Sequence, residues 1–210
     1  MLHFQNLLLQ KNIFLYPRSH IEVEMRTALS RVESIDISFD SLTSISVVME
    51  ERAQFALWCT SRLEGESVVL EDACYFLDEQ GLIFSESPQF SGNVYTRYYG
   101  RIHTISSGPL LMQYMPQFEF EQVHTFISAL AQFDIPIAHA YAYNDGDVEL
   151  KTTSGSILFF TTRESTGETL ENLTSLLEDA TTVPNRAEFM STVQYIDLRF
   201  GKKIFLKLSQ

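Results

Sequence analysis

The run IAHAYAYNDGDVELKTTSGSILFFTT, Ile137 to Thr162, constrains the fold more than any other part of the chain. Three strand-length pieces, IAHAYAY, VELKTT and SILFFTT, are separated by Asn144-Asp145-Gly146 and by Ser154-Gly155. Connections this short join only antiparallel neighbours, and their Asn, Asp and Gly residues supply the left-handed backbone that hairpin turns need. The stretch is therefore a meander, and helical patterns bracket it. Before it, Val123, Phe126, Ile127 and Leu130 follow the i, i+3, i+4, i+7 spacing until Pro136 stops the helix. After it, Ser165 with Glu168 three residues on is a capping-box signal, opening a helix that carries Leu170, Leu173, Leu176 and Leu177 and ends before Pro184. Two helices with apolar stripes need a surface to cover, and the meander supplies it.

The ends of the chain extend this α+β pattern. VQYIDLRF, a turn at Gly201-Lys202 and KIFLKL read as a closing hairpin. Near the start, Met1 to Leu9 suit a short apolar helix, and NIFLY is an extended segment stopped by Pro17. Ile21, Met25, Ala28, Leu29 and Val32 recur at helical spacing. VESIDISF and TSISVVMEERAQFALW then alternate at period two around a turn at Asp40-Ser41-Leu42-Thr43. Residues Ser85 to Pro116, rich in Ser, Gly, Tyr and Pro, read as loop with short strands. The pattern predicts a small unit over residues 1–58, of helices and a short sheet, and a larger unit over 59–210. The larger unit is expected to be one long antiparallel sheet with two helices packed on one face.

Charge and motifs narrow the function. With 210 residues, 45% of them hydrophobic, the chain is long enough to bury a core. Its 15 Lys and Arg against 27 Asp and Glu give a net charge of -12, which on average repels nucleic acid and anionic lipid. No window approaches the roughly 20 apolar residues of a membrane helix. GxSxG, HExxH, Walker, GxGxxG and CxxC patterns are all missing, and His3, His20, His103, His124 and His139 are scattered without ligand spacing. Nothing in the sequence announces catalysis or a cofactor. Asn144, Asp145, Asp147 and Glu149 offer oxygens to a cation, but the rest of a calcium loop is lacking and a hairpin turn accounts for Asp145-Gly146.

Both cysteines flank one stretch. AQFALW leads into Cys59, and YFLDEQGLIF follows Cys74 and turns back at Asp78-Glu79-Gln80-Gly81. If the strand ending at Trp58 pairs beside the one starting at Tyr75, the two sulfurs meet at one end of that ladder. Either a disulfide then closes the polar connector, worth on the order of 3 kcal/mol by the chain-entropy model, or two thiols lie buried and free. No His stands near enough to make a zinc site of them.

In order, these words resemble the bacterial cell-division family FtsQ/DivIB. KNIFLYPRSHIEVEMRTALSRVESIDISFDSLTSISVVMEERAQFALW is similar to that family's POTRA domain, down to the cadence of Leu42 to Trp58. CYFLDEQGLIF is similar to the opening of its β domain, and YIDLRFGKKIFLK to its closing hairpin. The resemblance covers nearly the whole chain. It implies a non-enzymatic scaffold of the divisome: a single-pass protein of the bacterial inner membrane whose bulk is extracytoplasmic. A first POTRA strand and a membrane helix would lie upstream of Met1. An oxidising location would account for a Cys59 to Cys74 bridge. A POTRA-bearing export or envelope-assembly protein is a rival that would share the N-terminal pattern alone. An extracytoplasmic ligand-binding protein or hydrolase is another, for which the sequence offers no nucleophile and base.

The resemblance also locates a contact. In the closing hairpin Ile196, Leu198 and Phe200 fall on one face, expected to be core, and Tyr195, Asp197 and Arg199 on the other. Ile204 and Leu206 alternate with Lys203, Phe205 and Lys207. The last strand has no successor and is expected at a sheet edge. There a coiled-coil division protein of the FtsB/FtsL type would add a strand, with Arg199 and Phe200 flanking the contact and Lys203, Phe205 and Lys207 lining it. The alternative is that Phe205 packs on the sheet and the lysines only guard an edge against aggregation.

Overall fold

The computed structural model describes residues 18–41, 44–64, 67–102 and 108–209, with 62–64 and 67–72 described by backbone alone. The helix expected at Met1 to Leu9, the NIFLY segment and the turn residues Leu42 and Thr43 lie outside the described residues. The chain divides into two compact units between Ala53 and Gln54.

In the first unit α1 (Arg18–Ala28) is followed by β1 (Val32–Phe39) and β2 (Ile45–Glu51), which pair antiparallel with Ile37 opposite Val47. Ile21 and Met25 of the helix pack on the buried Val32, Ile35 and Ile37. This is the stripe that the helical spacing predicts. At the turn, the amides of Asp40 and Ser41 both donate to the carbonyl of Ser44.

The second unit begins earlier than expected. A division after Trp58 would cut β3 (Ala56–Glu64), whose Ala56, Leu57 and Trp58 already pair with β4 (Ser67–Leu77). Residues 43–58 are accordingly not one strand but two, separated where the units meet in sequence. β4 turns back through Gly81, at φ +80°, into β5 (Ile83–Glu86), as the sequence predicts. Asp78 fixes that turn by accepting the amides of Gln80 and Leu82 on its Oδ1.

Beyond β5 lie β6 (Arg97–Gly100), α2 (Gln117–Gln132), β7 (Ile137–Ala142), β8 (Asp147–Thr152) and β9 (Ile157–Thr161). α3 (Thr166–Glu178), α4 (Arg186–Thr192), β10 (Val193–Phe200) and β11 (Lys203–Leu208) complete the unit. The strands form one nine-stranded sheet in the order β11-β10-β9-β8-β7-β6-β3-β4-β5. It is mixed rather than antiparallel: β3 with β6, β6 with β7, and β9 with β10 are parallel pairs. The helices explain two of these. α2 carries the chain from β6 to β7, and α3 with α4 carries it from β9 to β10. A neighbouring strand reached through a helix returns in the same direction.

Both expected helix stripes are covered. Phe120, Val123, Phe126, Ile127 and Leu130 of α2, and Leu173 and Leu177 of α3, are buried, with Leu170 half-buried against them. They join Leu150, Leu158, Phe160, Ile196 and Leu198 from the sheet in one core. Ser165 caps α3 by accepting the amide of Glu168, as the capping-box signal predicts. On the sheet's opposite face a smaller cluster of Leu57, Cys59, Phe76, Phe84 and Tyr99 is covered by Phe90 and Tyr95.

Cys59 and Cys74 are disulfide-bonded and face each other across the β3–β4 ladder, one step beyond the Trp58–Tyr75 pair. What lies between them differs from the expected connector. The ladder runs on through Ser61–Leu70, Arg62–Val69, Leu63–Val68 and Glu64–Ser67, so the bridge joins two long strands rather than closing a loop.

Candidate partner-binding edge

The closing hairpin is built from strongly β-forming residues around Gly201, whose φ of +61° is the left-handed conformation the turn needs. Asn172 of α3 donates to the Gly201 carbonyl at 3.2 Å, and the Ser209 amide donates to the Thr192 carbonyl at 2.7 Å. β10 is held on its other side by β9, with Tyr195, Ile196 and Asp197 beside Ile157, Leu158 and Phe159. β11 pairs with β10 alone and forms one edge of the sheet among the described residues. The opposite edge is occupied: Ile83 of β5 exchanges backbone hydrogen bonds with Leu111 and Met112.

The structure divides the five expected contact residues into two groups. Phe200, Lys203, Phe205 and Lys207 are exposed along the hairpin, and the rings of Phe200 and Phe205 meet edge to face with centroids 5.2 Å apart. Phe200 is 54% exposed, so it does not share the core face with Ile196 and Leu198. The reason is local: the ladder register shifts between Asp197 and Phe200, and Phe200 abuts the turn. On β11 only Ile204 packs on the core, while Leu206 and Leu208 are exposed. The edge thus presents an aromatic pair, two exposed aliphatics and two lysines on a chain whose net charge is -12.

Arg199 is different because its guanidinium is already engaged inside the unit. It donates from Nε and Nη2 to both oxygens of Asp197, at 2.8 and 2.6 Å, and from Nη1 to Asp147 at 2.7 Å. Arg163 holds the other oxygen of Asp147 at 2.7 Å, and the Arg199 guanidinium lies 5.0 Å over the Phe159 ring. The hydrogen bonds it donates to Asp197, and then to Asp147, make Arg199 a still weaker acid than a free guanidinium. Burial pushes the Asp197 carboxyl up, but the Arg199 hydrogen bonds outweigh it and hold it below its ordinary range. These contacts tie β10, next to the open edge, across β9 to β8.

A pH dependence follows. A carboxyl depressed in the folded state contributes stability that is fully present above its unfolded pKa of about 4 and is lost as pH falls through the folded value. Asp197→Asn should therefore destabilise the unit most above about pH 5. The gap to the parent should shrink in acid, read by urea midpoints across pH.

Other residues singled out by the sequence have structural partners. Asp145 accepts the Asp147 amide at 3.1 Å, and Glu149 accepts the Tyr143 hydroxyl at 2.9 Å. With Asp147 held by two arginines, these oxygens stabilise a turn and a sheet face. His124 packs edge to face on Phe55, ring centroids 4.5 Å apart, and burial lowers its pKa. Among the described residues no group of three or more His, Cys, Asp or Glu could hold a metal ion, and no helix is long and apolar enough to cross a membrane.

No protein-family model matches the chain, and no curated protein matches it.

Proposed function

We propose that this chain is a non-enzymatic extracytoplasmic scaffold of the bacterial divisome, of the FtsQ/DivIB kind, that recruits a coiled-coil division protein of the FtsB/FtsL type by strand addition at β11. The observation that carries this reading is the open β11 edge with the exposed Phe200–Phe205 pair between Lys203 and Lys207. An unpaired strand edge offers a row of backbone donors and acceptors, and a partner strand gains affinity from them and selectivity from side-chain contacts. An exposed aromatic pair is the type of group on which interface energy concentrates. The lysines select an acidic partner segment and oppose edge pairing with other chains in its absence. An oxidising compartment outside the cytoplasm is where a bridge like Cys59–Cys74 persists.

The test is capture of the coiled-coil division protein encoded by the same genome, using the parent, Phe205→Asp and Lys207→Pro. Loss of an aromatic anchor is expected to weaken binding by roughly 2 kcal/mol or more, about thirtyfold. Lys207→Pro is expected to abolish capture by interrupting the edge strand. Trp58 fluorescence serves as the folding control, since this single tryptophan is buried in the second unit. If both variants fold and bind as the parent does, strand addition at β11 is refuted.

A further inference from the structure

The disulfide stands at the point where two strands leave the sheet. β3 meets β6 only at Leu57 and Trp58. β4 meets β5 only at Tyr75, Phe76 and Leu77, with one further bond from the Ser87 amide to the Cys74 carbonyl. Outward from Ser61 and Leu70 the two strands pair with each other and with no third strand among the described residues. The ladder register also slips between Cys59 and Ser61, directly beyond the bridge. The result is a two-stranded arm, residues 61–64 paired with 67–70, with the sulfur bridge at its root.

From this geometry we infer that the Cys59–Cys74 bond is a redox-sensitive clamp on a projecting β-arm. Closed, it keeps the arm an ordered ladder; open, it releases the arm while the sheet stands. An isolated two-stranded hairpin is marginal in water, so pairing alone does not hold an arm of this kind. The bond, spanning 15 residues, removes chain freedom from that segment and from no other. The root is secured separately, because Leu57, Phe76, Phe84 and Tyr99 are buried there beneath Phe90 and Tyr95.

The two sulfurs differ in access. Cys59 has no exposed surface, whereas Cys74 is half-buried and borders a hollow of about 140 Å³ with Leu57, Pro88, Gln89, Phe90 and Arg97. A dithiol reductant would enter there. Its thiolate attacks the Cys74 sulfur, the S–S bond breaks, and Cys59 leaves as a thiolate that takes a proton. The second thiol of the reductant, deprotonated, then displaces Cys74, which is protonated in turn. The reductant ends as a disulfide and the protein as two thiols. Arg97 beside the hollow favours the incoming thiolate electrostatically.

Amide hydrogen exchange on the full chain tests the clamp, comparing the oxidised parent, the parent treated with dithiothreitol under native conditions, and Cys59→Ser/Cys74→Ser. Amides of residues 61–64 and 67–70 should exchange at least about tenfold faster in the reduced and double-serine proteins, while β7 to β10 keep their protection. Trypsin should then cut after Arg62 in the double-serine protein under conditions where the parent resists. Equal arm protection in all three proteins overturns the inference, because the arm is then held by something other than the bond. Loss of protection across β7 to β10 overturns it too, since the bond would then support the whole unit. A bond that dithiothreitol leaves intact while the double-serine arm is free refutes redox sensitivity.

Discussion

Phe126→Ala should destabilise the second unit by about 3–5 kcal/mol, the range for removing a fully buried aromatic ring. Phe126 has no exposed surface and stacks on Phe160, which is equally buried, with ring centroids 4.3 Å apart and an interplanar angle of 12°. The pair joins α2 to β9, where the helix stripe meets the sheet. Alanine removes the ring's burial, its contact with Phe160 and its volume from the core it shares with Leu130 and Leu158, which backbone relaxation will restore only in part. Single-domain stabilities are about 5–15 kcal/mol, so one side chain accounts for a large share. Urea titration followed by Trp58 emission measures the effect, since that indole is buried in the same core cluster. Phe126→Leu should cost less because it keeps most of the volume. A Phe126→Ala midpoint equal to that of the parent would mean that this helix face is not the core.

Much of this arrangement is legible in the sequence, and what is not has identifiable causes. α2, α3 and the β7–β8–β9 meander are visible because each has one wet and one dry face, which stamps a period on the chain. β6 lacks that signature. Tyr98 and Tyr99 point to opposite faces and both are buried, one in the main core and one in the smaller cluster, so RYYG shows no alternation. The short strands expected between Ser85 and Pro116 therefore have no readable place, which hides the parallel pairings, although a helix between successive strands is itself a sign of parallel return. α4 also had a signal: Asn185 accepts the amide of Glu188 three residues on, a cap readable in NRAE just after Pro184.

The edge is a harder case. Hairpin, turn and terminal position were readable, as were the lysines and Phe205. The commitment of Arg199 was not, because Asp147 is 52 residues away in sequence and lies on β8, with β9 between it and Arg199. Short-range patterns contain no information about which strand stands two places over. The disulfide falls between these cases. Its sulfurs meet if the strand ending at Trp58 pairs beside the one starting at Tyr75, which the two apolar runs suggest and the structure shows, but the length of the ladder beyond them is not readable. Residues 60–73 contain acidic and small polar residues that read as loop. Backbone pairing overrides that local preference.

The strand hardest to read also holds the position with the sharpest backbone requirement, and Gly100→Ala is expected to cost about 4 kcal/mol or more. Gly100 ends β6 at φ +83°, where a side chain is strained by itself. A methyl group built there would lie 2.3 Å from the backbone carbonyl oxygen of Ala142 on β7 and 3.2 Å from the Tyr141 ring. The ring can move, but the carbonyl cannot without parting β6 from β7, because the Arg101 amide also donates to it. Nor can Gly100 retreat freely, since its own carbonyl accepts the Trp58 indole at 3.1 Å. β6 is the only strand between β3 and β7, so a shift there breaks the continuity of the sheet. Gly155→Ala is the matched control: its φ is +100°, yet nothing lies within 4 Å of the added carbon. The control should lose about 1–2 kcal/mol from backbone strain alone. The difference between the two variants, read from urea midpoints at constant slope, isolates the collision with Ala142. Equal losses would mean that β6 and β7 can separate at this point at little cost, and that the sheet is not one continuous structure through β6.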